Sequence, residues 1–261
     1  MNPTVITIAQ RKGGMCKSTT ALNLACVFAE YGLKVLVLDL DDQRNTSKSI
    51  SRIVESEKTI EDLLLNEKTT VEDVAVKTGW NNVSIIPSSS NLSGVVKYLD
   101  QELGSHLVLK EKLSKCSEYD FVILDTSPSL NILVINALCA SNYMFIPLAS
   151  KYFSLSGLQQ TLESFNKVIN RLNPELKLLG IGIMNHDCRN VLANEVIEEI
   201  KEKYEEDLFN TIIGINIKIE EAQVKKQSIL SYAPEDRGSK QYRELGREIL
   251  AKIKEKEEVK S

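Results

Sequence analysis

The sequence predicts an α/β fold, a mostly parallel twisted sheet with helices on both faces. Apolar runs of strand length recur along the chain, and they are continuous rather than alternating, the pattern of strands covered on both sides. Between them lie segments with apolar residues at helical spacing, so strand and helix alternate. No internal repeat or low-complexity linker interrupts the alternation, which points to one domain.

In chain order, "TVITIA" (4–9) is the first strand, and 18–31 is a helix whose Ala21, Leu22, Ala25, Phe28 and Ala29 share a face. "KVLVLDL" (34–40) is the second strand. The stretch 41–82 is polar and poor in strand signals, and predicts short helices at an edge. Strands follow at "VSIIP" (83–87), "FVILD" (121–125), "YMFIPL" (143–148), "LLGIGIMN" (178–185) and "FNTIIG" (209–214). Helices are expected over 106–116, 130–140, 155–171, 191–205 and 238–254. The domain is placed at 1–254, and 255–261 is a charged tail expected to fray.

With 43% hydrophobic residues, 261 residues can bury a sizeable core. The net charge of −4 excludes a globally basic nucleic-acid coat but leaves room for a local patch. Cysteines at 16, 26, 116, 139 and 188 form no C-x-x-C pair, and read as reduced, mostly buried thiols of a cytosolic protein. "MNPTVITIAQ" has no basic segment before a long apolar run, so it is not a signal peptide. No apolar stretch reaches the roughly 18–20 residues of a membrane span.

Chemistry concentrates in "RKGGMCKSTT" (11–20). It approximates the phosphate-loop pattern G-x-x-x-x-G-K-[ST], with Lys17 and Ser18 in its last two places and Arg11 and Cys16 where its glycines belong. Gly13 and Gly14 let backbone N–H groups curl towards an anion, and the helix start adds unpaired N–H groups. Lys17 would reach the β- and γ-phosphates, and Ser18 would ligate Mg²⁺. The alternative is an ordinary strand-to-helix turn with chance glycines. "VLVLDLDDQ" puts Asp39 and Asp41 at a strand end, two apart and on one face, and "FVILDTSPS" puts Asp125 at another. Taken singly, each aspartate could be a helix cap; three strand-end acids beside a lysine loop favour a metal-assisted phosphate site.

"KGGMCKSTTALNLA", "VLVLDLDDQRN", "YDFVILDTSPSL", "IPLASKYFSLSGL", "LNPELKLLGIGIMNHDCR" and "ILSYAPEDRGSKQYRELGREIL" resemble successive blocks of the ParA/Soj family of DNA-partitioning ATPases. The resemblance runs from about residue 4 to 250 in the family's order. It implies a P-loop ATPase with a deviant Walker A loop, K-G-G-x-G-K-[ST], in which Arg11 needs no glycine. It also implies ATP/ADP and Mg²⁺ as ligands. Gly13, Gly14, Met15, Cys16, Lys17, Ser18 and Thr19 would cradle the nucleotide, Asn185 would contact adenine, and Ser18, Asp39 and Asp125 would serve the metal. Lys12 matches the signature lysine that reaches across a nucleotide-sandwich homodimer, and Asp41 the carboxylate that organises the attacking water.

Three departures stand out. Cys16 replaces the glycine before Lys17, where a Cβ taxes any positive φ by roughly 1 kcal/mol or more. Its thiol, at a helix start, is expected to have a lowered pKa. "DDQRN" replaces D-P-Q-G-N after Asp41, and "DTSPS" replaces D-x-P-P-S after Asp125.

The resemblance implies an ATP-dependent switch: a dimer binds double-stranded DNA without sequence specificity, and slow hydrolysis, stimulated by a ParB-like centromere-binding partner, releases it. Arg189 and Lys218 match basic positions of that DNA surface, with Lys225, Lys226, Arg243 and Arg247 nearby; each taken singly also reads as a solvated surface charge. The protein is expected in the cytoplasm, on the nucleoid. Its chain starts at its first strand, so the operator-reading region of longer partition ATPases is not expected. Two alternatives remain. One is a non-catalytic ATP-dependent scaffold, favoured by Cys16 and Asp42. The other is a MinD-like membrane-positioning ATPase, disfavoured by the mixed charges of "AKIKEKEEVKS".

Overall fold

The computed structural model describes residues 2–50, 58–149 and 155–258. Seven strands form one sheet: β1 (Thr4–Ile8), β2 (Val35–Leu40), β3 (Val76–Lys77), β4 (Val83–Ile86), β5 (Phe121–Thr126), β6 (Tyr143–Ala149) and β7 (Lys177–Met184). Their order is β3-β4-β2-β5-β1-β6-β7, and every pairing is parallel except β3 with β4.

The continuous apolar runs have the expected cause. Val35 and Val37 of β2 enter a core with Phe28 from helix α1 (Lys17–Glu30) and with Tyr242, Leu245 and Ile249 from α12 (Arg237–Glu258). Leu36, Leu38 and Leu40, the alternate residues, enter a second core with Ile60, Val95 and Leu109. On β6, Met144, Ile146 and Leu148 pack instead with Leu158 and Phe165 of α8 (Leu155–Leu172) and Ile200 of α9 (Val191–Tyr204). Each such fully buried side chain contributes roughly 1.5–3 kcal/mol against exposure. Helix α12 lies close on α1 because position 246 is glycine: a Cβ there would stand 2.5 Å from Val27 Cγ1. Helix α1 ends where Gly32, at φ 81°, turns the chain and donates its N–H to the Ala29 carbonyl.

The polar stretch after β2 holds the short helices α2 (Asn45–Lys48), α3 (Ile60–Leu65) and α4 (Val71–Val74), as expected, and also the two-residue edge strand β3. Thr59 and Thr70 start α3 and α4 with reciprocal capping boxes to Asp62 and Asp73. Helices α5 (Leu92–Leu99), α10 (Ile217–Val224) and α11 (Ile229–Tyr232) were not among the expected elements. The 106–116 pattern forms a 3-10 turn (Ser105–Leu107) and then α6 (Val108–Leu113), and the 130–140 pattern forms α7 (Ile132–Ala140).

"FNTIIG" (209–214), expected as a strand, is not one. Phe209 and Ile213 do donate to β7 carbonyls, those of Ile181 and Ile183, but the Asn210 and Thr211 N–H groups go to the Glu248 carboxylate of α12. That carboxylate competes with the ladder, and among the described residues the segment is left with isolated bridges at Leu208 and Gly214. The tail expected to fray from 255 continues α12 as far as Glu258. Of the block "IPLASKYFSLSGL" (146–158), residues 150–154 lie outside the described residues.

Candidate phosphate and metal site

The strand order sets β5 between β2 and β1. Asp125 on β5 is therefore the register partner of Asp39 on one side and of Ile8 on the other. Beyond Ile8 the chain leaves the sheet, turns through residues 9–16 and enters α1 at Lys17. The lysine and the strand-end acids are thus brought to one edge of the sheet, its C-terminal edge, as for ligand sites of open α/β sheets. Lys17 is only 7% exposed. Burial pushes its pKa down, while the charges of Asp125 and Asp41 pull it back up.

The loop is held at both ends. Met15 is buried, and its Sδ accepts the Ala149 N–H at 3.3 Å, so this side chain anchors the turn rather than facing a ligand. Buried Gln10 accepts from the Thr161 hydroxyl of α8 at 3.0 Å, and Arg11 donates to Ser164 at 2.7 Å. Between the anchors Gly14 takes φ 74° and Cys16 takes φ 58°. Position 16 therefore does adopt the left-handed conformation in which a Cβ costs roughly 1 kcal/mol or more. Nor does Cys16 cap the helix with its side chain. Its thiol corrects the expectation of a lowered pKa: burial pushes it up, with the Glu220 charge adding to the rise and Lys17 opposing it.

The three acids differ in their partners. Asp39 Oδ1 accepts the Asp41 N–H at 3.1 Å, and its Oδ2 accepts the Ser47 N–H at 2.8 Å and the Ser47 hydroxyl at 2.6 Å. Both oxygens of Asp39, expected to serve the metal, thus accept from the loop. Asp125 Oδ2 accepts the Thr46 hydroxyl at 2.6 Å, while its Oδ1 is buried without a hydrogen-bond partner among the described residues. The Ser18 hydroxyl lies near enough to favour the ionised form of Asp125. Burial raises the pKa of both Asp39 and Asp125, and the Asp125 charge raises that of Asp39 further. Asp41 is 5% exposed; burial pushes it up, and the Gln43 N–H on its Oδ1, at 3.0 Å, opposes that. Arg44, in the place where the resemblance expects glycine, takes φ 56°. The two glycine replacements, Cys16 and Arg44, thus both fall on left-handed residues beside the same cleft.

That cleft, about 660 Å³, is lined by Gly13 to Thr19, Asp41, Gln43, Lys48 and Gln223. A smaller hollow of about 130 Å³ shares Cys16, Thr19 and Gln223 with it and adds Asn185, Asn216 and Tyr242. Asn185, expected to contact adenine, thus lines a hollow beside the loop. Sequence reasoning missed Thr46, Ser47 and Gln223, whose Nε2 donates to the Thr19 hydroxyl. The two hydroxyls directly after "DDQRN" were a usable signal; nothing local marks Gln223, which is 204 residues from Thr19.

The expected DNA-contact residues do not form one set. Arg189 is exposed and paired with Asp187 through two nitrogens, and Lys218 pairs with Glu221 at 2.8 Å. Lys225, Lys226 and Arg247 are exposed. Arg243 is different: it holds Glu30 with two nitrogens, at 2.8 and 2.9 Å, and donates to the Pro234 carbonyl. Its partner lies at the end of α1 opposite Lys17, and its guanidinium is committed within the fold.

The residues fit a hydrated magnesium ion. Among the described residues no cluster of three His, Cys, Asp or Glu could cage a metal. Mg²⁺ commonly keeps several waters and takes few protein ligands besides substrate phosphates. One hydroxyl, Ser18, and one buried carboxylate oxygen without a partner among the described residues, on Asp125, could supply that chemistry.

The model of an AAA domain family matches residues 3–178. The chromosome-partitioning ATPase Soj of Treponema pallidum is 37% identical over 97% of this chain and 98% of its own. The chromosome partitioning protein ParA of Caulobacter vibrioides is 33% identical over 97% of this chain and 96% of its own. Among solved structures, cobyrinic acid a,c-diamide synthase from Mycobacterium smegmatis, with bound ADP and magnesium, superposes at TM-score 0.83 and 26% identity, covering 97% of this chain and 96% of its own. On a lysine loop at the end of β1, strand-end acids at the ends of β2 and β5, and similarity along nearly its whole length, the chain belongs to the ParA/Soj family of partition ATPases.

Proposed function

We propose that the protein is a Mg²⁺-dependent ATPase that partitions DNA, and that it works as a nucleotide-gated dimer. The observation that carries this is the loop itself. Gly14 and Cys16 in left-handed turns, followed by a buried lysine at a helix start, would form an anion cradle beside a carboxylate oxygen that has no partner among the described residues. Loop N–H groups and Lys17 would bind the β- and γ-phosphates, Ser18 would ligate the metal, and Asp125 would accept from a metal-bound water. The metal, when bound, withdraws charge from the phosphates. Asp41 would orient the attacking water, and Lys12, exposed at the loop, would reach a second copy's phosphates. Dimerisation would bring two sets of Arg189, Lys218, Lys225, Lys226 and Arg247 to one DNA, with a ParB-like partner stimulating hydrolysis. The apolar side chains Tyr242, Leu245, Ile249 and Ile253 of α12 are buried on the core, which disfavours a membrane role for that helix.

The test is sedimentation with DNA at equal concentrations of a non-hydrolysable ATP analogue, ADP and no nucleotide. DNA binding and a doubled mass with the ATP analogue alone are expected; equal binding in all three states contradicts the reading. A second reading, a scaffold that dimerises on ATP but barely turns it over, is favoured by the strained backbone at Cys16 and Arg44. Under that reading the dimer forms and ParB-like protein plus DNA do not raise the hydrolysis rate.

A further inference from the structure

The loop after β2 is pinned to the sheet by two hydroxyls on adjacent residues. Ser47 closes on Asp39, and its oxygen also accepts the Ser88 N–H at 2.9 Å. Ser88 in turn donates to the Asp41 carbonyl at 2.8 Å. Thr46 closes on Asp125 instead, at 2.6 Å, with both residues fully buried. A carboxylate turns readily about its terminal bond, having no sharp rotamer wells there. A short donor on one oxygen removes that freedom and fixes the plane of the other. On Asp125 the other oxygen is the buried atom without a partner among the described residues. The donor comes from the segment that begins at Asp41, five residues earlier in the sequence.

We infer that Thr46 is a positioning residue of the metal site: its hydroxyl fixes one oxygen of Asp125, leaves the other free to accept from a metal-bound water, and ties that acid to the loop carrying Asp41. This rests on the proposed Mg²⁺–nucleotide reading. Outer partners of this kind set ligand orientation, and their loss weakens metal binding on the order of tenfold or more. A hydroxyl that merely filled a hole would be replaceable by a methyl of the same shape. A hydroxyl that orients Asp125 would not.

The experiment titrates Mg²⁺ against a fluorescent ATP analogue bound to the wild-type protein, Thr46→Val and Thr46→Ser, and reads binding rather than turnover. Thr46→Val keeps the shape and loses the donor; it is expected to raise the half-saturating Mg²⁺ concentration on the order of tenfold. Its metal-free nucleotide binding should match wild type. Thr46→Ser keeps the donor and is expected to restore the wild-type requirement. A wild-type Mg²⁺ requirement in Thr46→Val overturns the inference alone. Equal loss in Thr46→Val and Thr46→Ser also overturns it, because the methyl and not the hydroxyl would then matter. No Mg²⁺ dependence in the wild-type protein overturns both this inference and the proposed function.

Discussion

Asp39 and Asp125 are register partners on adjacent parallel strands, so two fully buried carboxylates stand side by side at the edge of the candidate site. Burial pushes both up from the ordinary carboxylate range. A carboxyl raised on folding stabilises the fold at pH below its unfolded value and loses that contribution as pH rises through the folded value. The nucleotide-free protein should therefore lose stability from about pH 4, the unfolded carboxylate value, to about pH 7 through this pair. Asp125→Asn removes one of the two charges, and the Thr46 hydroxyl can still donate to the amide oxygen. Thermal melting should show the variant more stable than wild type at about pH 8, by about 2–4 °C for each kcal/mol gained, and level with it near pH 4. A difference that does not vary with pH would exclude the pair as its cause.

Cys16→Gly removes a Cβ from a left-handed residue at φ 58°. Relief of roughly 1 kcal/mol in the bound state should tighten ATP binding about fivefold to tenfold, read by fluorescence titration of the analogue. Unchanged affinity would mean that the loop carries no usable strain. Because burial raises the Cys16 thiol, alkylation at about pH 7.5 should label exposed Cys188 before Cys16, by peptide mass mapping. Preferential labelling of Cys16 would contradict that environment.

Lys17→Ala takes a buried cation from beside Asp41 and Asp125. ATP-analogue binding should disappear, and the two carboxylates, losing an opposite charge, should be pushed further up. Nucleotide affinity within twofold of wild type would remove Lys17 from the phosphate site.

Asp41→Asn keeps an oxygen for the Gln43 N–H and removes the charge. Hydrolysis should fall by about tenfold to a thousandfold while ATP binding holds, leaving a persistent dimer in light scattering. A wild-type rate would remove Asp41 from the mechanism.

Arg189 and Arg243 should separate cleanly. Arg189→Glu at the exposed loop should weaken DNA binding across all sequences and flatten its salt dependence, read by titration at several salt concentrations. Arg243→Glu places a like charge against Glu30 and should mainly lower stability, by about a few tenths to 1 kcal/mol for this partly exposed pair, read by thermal melting. Loss of DNA binding in Arg243→Glu at unchanged stability would restore Arg243 to the DNA surface.

The sequence by itself determined the parallel sheet and most of its helices. Fully buried strands must be apolar on both sides, and "VLVLDL" and "FVILDT" say so without reference to the rest of the chain. It also placed Lys17, Asp41 and Asp125 at element ends, since strand-end acids and a glycine turn are local signals. Residues 209–214 show where local signals fail: their apolar run reads as a strand, yet Glu248, distant in sequence, takes the N–H groups the ladder needed. Only the tertiary structure decided that Asp39 holds a loop, that Thr46 reaches Asp125, and that Arg243 faces Glu30. Each depends on strand order and helix packing, which bring together residues 8, 79 and 213 positions apart, and no pattern along the chain encodes the partner of a single hydrogen bond. The thiol of Cys16 is the same case: its helix-start position is local and argues for a lower pKa, while the burial that raises it is supplied by the folded chain.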